Sequence, residues 1–403
     1  MISLGKSRGS TFKIFREALA GYTFDIGGIV AGTIIALQMN VFSISPWSIA
    51  VYPAILSARG IIGGLFSGRL STAFHLGTIF PRVFKNTKSF RMLVNAVVTL
   101  TFEVSIITSL FSTVFGSILW GTTLADFPNI LAVILATMTL GLIIALITVG
   151  VSFISFKYGL DSDVFLYPAV SAISDVLITL FYIFVLSLFF SSSLYGQWLI
   201  VSVGLFLMIS ALVSVLRNFR EKEFTKTLKE SFFTLIFVAV IVNITGAVLS
   251  RISASVTKES EIYIVFPALM AIIGDVGAVV GSTATTKLAL GLLDVSFSDM
   301  KNHLREIFSA WIASLIIFVF FSFLSLSIRG TFSLELFLIF TFLLLITNVI
   351  AASAIILISY AVAILTFQKG LDPDNFVIPI ESVLADSITS IALLVALFLV
   401  GWI

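Results

Sequence analysis

The chain has 403 residues, of which 59% are hydrophobic and 11% are charged, and its formal net charge is +2. A soluble domain of this length could not bury so much apolar surface, so the composition predicts an integral membrane protein. The small net charge gives no indication of nucleic-acid binding. The chain has no cysteine, which excludes thiolate chemistry, and its two histidines are too few for a haem or a histidine-rich metal centre.

The apolar runs have the length of membrane-spanning helices and lack the alternation of barrel strands, which predicts an all-α fold. A basic segment, residues 1–21, precedes them and is interpreted as a retained cytoplasmic leader rather than a signal peptide. About eleven spans are expected, at roughly residues 22–42, 49–79, 92–119, 130–156, 164–190, 198–216, 232–252, 262–293, 307–327, 334–367 and 376–402.

Two long stretches of the chain occur twice. The stretch that begins at Tyr52-Pro53 returns at Phe266-Pro267, and the stretch that ends at Asp175 returns with its end at Asp386. Two copies at nearly one offset indicate a duplicated bundle of five helices. We expect a first module with the leader at residues 1–193, a linker helix at 194–218 and a second module at 219–403.

The loop charges predict the orientation. Loops on one side of the eleven spans hold most of the basic residues, such as Lys85, Lys88, Arg217 and Lys301, which places the N-terminus inside and the C-terminus outside the plasma membrane. The linker span turns the second module over, so the two repeats are expected to be parallel and related by a pseudo-two-fold axis along the membrane normal.

A polar stripe repeats in the last span of each module. Ser171, Asp175 and Thr179 are four residues apart and share one helical face. The second module repeats this pattern with Ser382, Asp386 and Ser390. Charged residues inside a membrane span are expensive, which makes each aspartate a functional candidate. A buried carboxyl that only fixes the packing is the alternative interpretation.

Prolines and small residues are expected to expose carbonyl oxygens beside the stripes. Pro168 and Pro379 each precede one aspartate, and a proline inside a helix frees the carbonyl one turn earlier. The second and eighth spans carry matching rows of small residues, which are Gly60, Gly63, Ser67 and Ser71 in one copy and Gly274, Gly277, Gly281 and Thr285 in the other. Such rows also allow close helix packing, which is their commoner use.

Carboxylates, carbonyls and hydroxyls together form a hard oxygen environment, which suits a divalent cation such as magnesium. The candidate metal-binding residues are Asp175, Asp386, Asp275, Ser171, Ser382, Gly60 and Gly274. Asp275 has no acidic counterpart at Ile61, and it could be a third ligand, a proton or sodium site, or a partner of Lys287.

Other ionisable residues have less specific interpretations. Glu381 replaces Val170 of the first copy and is read as a solvated residue at the mouth. Asp25 and Glu103 lie in apolar stretches, where Arg59 and Arg69 could neutralise them or the central carboxylates, whereas His75 and His303 are read as ordinary residues near a helix end and in a loop.

These residues resemble the solute-carrier family 41 and MgtE-type magnesium transporters. The resemblance rests on residues 370–379 with Leu384-Ala-Asp386, and on Pro53 followed by residues 68–72, and it extends over both halves. It implies a five-helix module used twice in one polypeptide, with a pathway at the interface of the modules. It also implies that Asp175 and Asp386 bind the ion. The family's usual Gly-Asn pair is replaced by Gly60-Ile61 and Gly274-Asp275.

The predicted function is transport of a divalent cation, with magnesium as the substrate rather than as a cofactor, in contact with the lipid bilayer and without a required protein partner. One alternative is a sodium- or proton-coupled exchanger in which Asp275 or Glu103 titrates. The other is an intramembrane aspartyl hydrolase built on Gly274-Asp275, which the absence of a Gly-X-Gly-Asp pattern disfavours. We therefore expect a transporter and not an enzyme.

Overall fold

The computed structural model describes residues 2–75, 77–80, 82, 86–158, 167–191, 193–256, 261–369 and 374–402. These residues form helices and turns without a strand, which confirms the predicted all-α fold. The helices are α1 (Ile2–Tyr22), α2 (Ile26–Leu37), α3 (Met39–Phe42), α4 (Pro46–Ala50), α5 (Tyr52–His75), α6 (Lys88–Leu119), α7 (Phe127–Tyr158), α8 (Tyr167–Phe190), α9 (Leu194–Asn218), α10 (Lys222–Ser255), α11 (Ile262–Ala289), α12 (Leu304–Arg329), α13 (Leu334–Gln368) and α14 (Asp374–Val400).

Eleven segments of the described chain are long and apolar enough to cross a membrane, as predicted. The first of them runs from Phe12 to Leu37, so it begins about ten residues before the expected start. The expected leader is largely helix α1, which packs against α12. Tyr22, at the end of α1, is buried and donates a hydrogen bond to the carbonyl of Ala310, 3.5 Å away.

The helices group into two compact units. We call residues Leu37–Ala254 the central unit, and Met1–Ala36 together with Ser255–Ile403 the terminal unit. The first span of the first module, Phe12–Leu37, therefore belongs almost entirely to the terminal unit, with the later spans of the second module. The first span of the second module, Lys222–Ser255, belongs to the central unit apart from its last residue, with the later spans of the first module. The repeat boundaries themselves, at residues 193 and 219, stay predictions from the sequence.

The repeat is visible in the backbone at corresponding turns. Gly77 and Gly291, which are 214 positions apart, follow α5 and α11 with φ angles of 68° and 67°. Gly121 and Gly330 follow α6 and α12 with φ angles of 76° and 75°. Because side chains disfavour this left-handed region, glycine stops the helix at the same place in both copies.

In the central unit, an aromatic cluster fixes α5 against α8. Tyr52 of α5 stacks on Tyr182 of α8 with 6.2 Å between ring centroids, and both rings contact Phe42 of α3. All three side chains are fully buried. Gly246 of α10 lies against the carbonyl of Ala50, which brings α10 into the same unit.

In the terminal unit, α2 packs closely on α11. A Cβ at Gly28 would lie 2.6 Å from the backbone of Ala268, and one at Gly32 would overlap the carbonyl of Ile264. Small residues permit this backbone approach in membrane helices. Pro267 lies inside α11 beside the contact. Helices α11, α13 and α14 all pack on one another and form the core of this unit.

Candidate cation site

In the central unit, the polar stripe of α8 faces α5. Arg59 donates from Nη1 to Oδ1 of Asp175 at 2.8 Å and from Nη2 to the carbonyl of Ser171 at 3.2 Å. Thr179 donates to the carbonyl of Asp175 at 2.6 Å, so its contact with the Tyr52 hydroxyl, at 2.9 Å, must be donated by the tyrosine. The Arg59 and Asp175 side chains are 11% and 26% exposed, so their ion pair is shielded but remains accessible.

Open space lies beside the guanidinium of Arg59. A small cavity there is lined by Gly63, Thr101 and Thr148 among others. A Cβ at Gly60 or at Gly63 would meet no described atom within 4 Å, so neither glycine is explained by close helix packing. Gly63 therefore leaves room beside Arg59, the partner of Asp175.

In the terminal unit, α14 presents the second stripe. Asp386 is half-buried and Ser382 is exposed, while the hydroxyl of Ser390 is buried and donates to the carbonyl of Asp386 at 2.7 Å. A Cβ at Gly274 would lie 3.8 Å from the Cβ of Ala385, so this glycine of α11 faces α14 next to Asp386. The structure thus places Gly274 beside the residue that precedes Asp386.

Glu381 is not the solvated mouth residue that the sequence suggested. It is 2% exposed, and its Oε1 accepts a hydrogen bond from the hydroxyl of Ser359 on α13. Its Oε2 has no hydrogen-bond partner in the part of the chain that the structure describes. The expectation was wrong because it placed the residue by its distance from the loop, whereas α13 and α11 cover that turn of α14.

Three carboxyl groups of the terminal unit lie within electrostatic range of one buried tyrosine. They belong to Asp25, to Asp275, which is half-buried on α11, and to Glu381, and the tyrosine is Tyr22. The sequence did not predict that these acids lie close together, because the segments that carry them are distant in the chain. Among the described residues, no group of three or more His, Asp or Glu is close enough to hold a metal ion jointly.

Lys287 does not pair with Asp275, which was one of the expectations. Its Nζ lies 2.8 Å from Oε2 of Glu306, so it neutralises this carboxylate of α12 and not that of Asp275. His303, expected as an ordinary loop residue, is fully buried. Its Nε2 donates to the carbonyl of Val280 at 3.1 Å, and its Nδ1 is 3.5 Å from the same Glu306 oxygen.

Pro379 lies inside its helix, whereas Pro168 does not. Pro168 is the second residue of α8, where helical N–H groups have no carbonyl partner, so it frees no carbonyl within that helix. Pro379 is the sixth residue of α14 and lies inside it. The side chains of Ser67, Ser71 and His75 and the loop residues Lys85 and 370–373 lie outside the described residues.

The remaining charged candidates are separate from the aspartates. Arg69 of α5 is exposed and donates to the hydroxyl of Thr227 on α10. Glu103 is half-buried on α6. Within the central unit, Arg59 is therefore the basic residue that the structure pairs with a predicted ligand.

The repeat register shows a difference in charge between the two copies. The first copy carries a cation where the second has an apolar residue, and the second carries two acids where the first has apolar residues. The exchanged pairs are Arg59 and Ile273, Ile61 and Asp275, and Val170 and Glu381. At these positions the first copy adds a positive charge to its aspartate, whereas the second copy adds two negative charges.

Eleven apolar spans, two related sets of helices and ionisable groups inside the spans define a multi-pass membrane transporter. The chain belongs to the MgtE family of divalent cation transporters, whose sequence profile matches residues 52–186 and 266–396. The two matches cover the second to fifth spans of each copy, which confirms the resemblance and the transporter interpretation. No curated protein and no solved structure matches the chain.

Proposed function

We propose that the transported cation is magnesium and that it passes between the two modules in contact with Asp175 and Asp386. The observation that carries this proposal is that the two aspartates occupy equivalent positions in the two copies. Each aspartate lies in the last span of one family match, four residues before a hydroxyl that donates to its carbonyl. Both are partly exposed inside otherwise apolar helices, as groups that bind a passing ion would be.

The chemistry of the site favours a hydrated hard cation. Magnesium dehydrates reluctantly, so one or two carboxylates can hold it through its own waters without a closed protein cage. This agrees with the absence, among the described residues, of three clustered acidic or histidine ligands. Inward movement of two charges gains about 2 × 2.3 kcal/mol per 100 mV of membrane potential, which makes a potential-driven influx reasonable.

The proposal includes an orientation. Corresponding spans of the two copies, such as the fifth and the eleventh, are offset by six, so the copies share one direction through the membrane and are related by a pseudo-two-fold axis. The basic loops then lie in the cytoplasm, with the N-terminus inside and the C-terminus outside the plasma membrane. The predicted ligands Asp275, Ser171, Ser382, Gly60 and Gly274 complete the candidate set around the two aspartates.

Flux into proteoliposomes tests the substrate. The purified protein is reconstituted into liposomes that contain a magnesium-sensitive dye, and an inside-negative potential is imposed. We expect the dye to respond to external magnesium. Manganese, cobalt or zinc should inhibit this response to the extent that each of these ions is itself transported. Transport of one of these ions without transport of magnesium would refute the choice of substrate but not the family.

A coupled exchanger is the second candidate, and the acids inside the spans of the terminal unit favour it. Glu381 is buried on α14 and Asp275 is half-buried on α11, which packs against it, and carboxylates inside the spans of transporters often carry protons or sodium. Magnesium flux driven by an imposed sodium or proton gradient at zero potential would support exchange. Flux that follows the membrane potential alone would exclude it.

A further inference from the structure

The guanidinium of Arg59 occupies oxygen atoms that were predicted as cation ligands. It binds Oδ1 of Asp175 and the carbonyl of Ser171, which are one helical turn apart on α8. Two of the candidate ligand residues of the first copy are therefore bound to one positive group of the protein. The third candidate, Gly60, follows Arg59 in the sequence.

This arrangement is specific to the first copy and to this arginine. The position that corresponds to Arg59 in the second copy is Ile273, which is fully buried in α11. Arg69, two to three turns further along α5, donates to Thr227, and no carboxylate pairs with it among the residues that the structure describes. The chain thus contains a built-in comparison between an arginine that binds a candidate ligand and one that does not.

We propose that Arg59 is a tethered counter-ion that competes with the transported divalent cation for Asp175. The inference rests on the proposed function, since it assumes that Asp175 receives the cation. A guanidinium and a divalent cation repel each other when they share one carboxylate, so binding of either weakens binding of the other. Asp175 is paired with Arg59 as long as no cation is bound, and the cation binds when the guanidinium moves away.

The competition predicts opposite effects on stability and on affinity. Without divalent cation, Arg59→Gln leaves Asp175 without its partner and lowers the melting temperature. With divalent cation, the same variant binds more tightly, because the ion no longer displaces a charge. A purely structural ion pair predicts the first effect but not the second.

The experiment is a thermal-unfolding titration of the detergent-purified protein with magnesium chloride, at constant ionic strength. We expect Arg59→Gln to lower the magnesium concentration at half-maximal stabilisation by about ten-fold, within the range typical of coupled sites. Arg69→Gln removes the same charge from the same helix and is expected to match the wild type. In the Asp175→Asn background, Arg59→Gln is expected to bring no gain in affinity.

An unchanged midpoint in Arg59→Gln, or an equal gain in Arg69→Gln, overturns the inference. If Arg59→Gln does not fold, Arg59→Lys provides the test. It keeps the charge but cannot bridge Asp175 and Ser171 with a planar fork, so its midpoint is expected to fall below that of the wild type. An unchanged midpoint in Arg59→Lys would then overturn the inference. A wild-type protein that neither transports magnesium nor is stabilised by it would refute the proposed function itself.

Discussion

Glu381 of α14 fits into space that Gly277 of α11 leaves by having no side chain. A Cβ at Gly277 would overlap Oε1 of the carboxylate and would lie 2.9 Å from Cγ1 of Ile355. Ser359 donates to the same oxygen from α13. Three helices of the terminal unit therefore meet at one buried carboxylate, and the glycine is what permits their approach.

Gly277→Ala is expected to destabilise the terminal unit. The added methyl group forces either the carboxylate or Ile355 to move, and overpacking of this kind costs about 1–3 kcal/mol. Gly274→Ala is the matched control for folding, because its Cβ would make an ordinary contact 3.8 Å from Ala385. Denaturant-induced unfolding in detergent measures both, and equal losses in the two variants would show that the Glu381 contact does not constrain α11.

The sequence predicted those properties that depend on local composition. Span length and apolarity follow from consecutive residues, so all eleven spans were found, and the repeat could be read from motifs such as Pro53 and Pro267. What the sequence did not reveal depends on which helices become neighbours. The pairing of Arg59 with Asp175 joins α5 to α8, and the burial of Glu381 requires α13 to cover α14. Neither relationship is encoded by spacing along one helix.

Two lysine–glutamate pairs are expected to contribute very differently to stability. The Lys287–Glu306 pair has side-chain exposures of 23% and 11%, whereas the Lys88–Glu221 pair has 73% and 40%. Lys287→Met leaves a poorly solvated carboxylate beside His303 and should cost about 3 kcal/mol, the low end for a buried pair. Lys88→Met should cost less than about 1 kcal/mol. Comparable melting temperatures for the two variants would contradict this difference.

The proposed orientation can be tested by labelling, because the chain has no cysteine of its own. Ser193, between the fifth and sixth spans, and Ser298, between helices α11 and α12, are both exposed. In intact cells, a membrane-impermeant maleimide is expected to label Ser193→Cys. Ser298→Cys is expected to react only after permeabilisation. The reverse pattern would place the N-terminus outside and would reverse the direction of potential-driven influx.

Asp175→Asn and Asp386→Asn are each expected to abolish magnesium uptake without preventing folding. Asparagine keeps the size of the side chain and can still accept a hydrogen bond from Arg59, but it removes the charge that attracts a divalent cation. Uptake into proteoliposomes and elution as a single species on gel filtration are the paired measurements. Glu335→Gln, at the exposed start of α13, is the charge-matched control and should transport like the wild type. Wild-type uptake by both single variants would remove the two aspartates from the pathway.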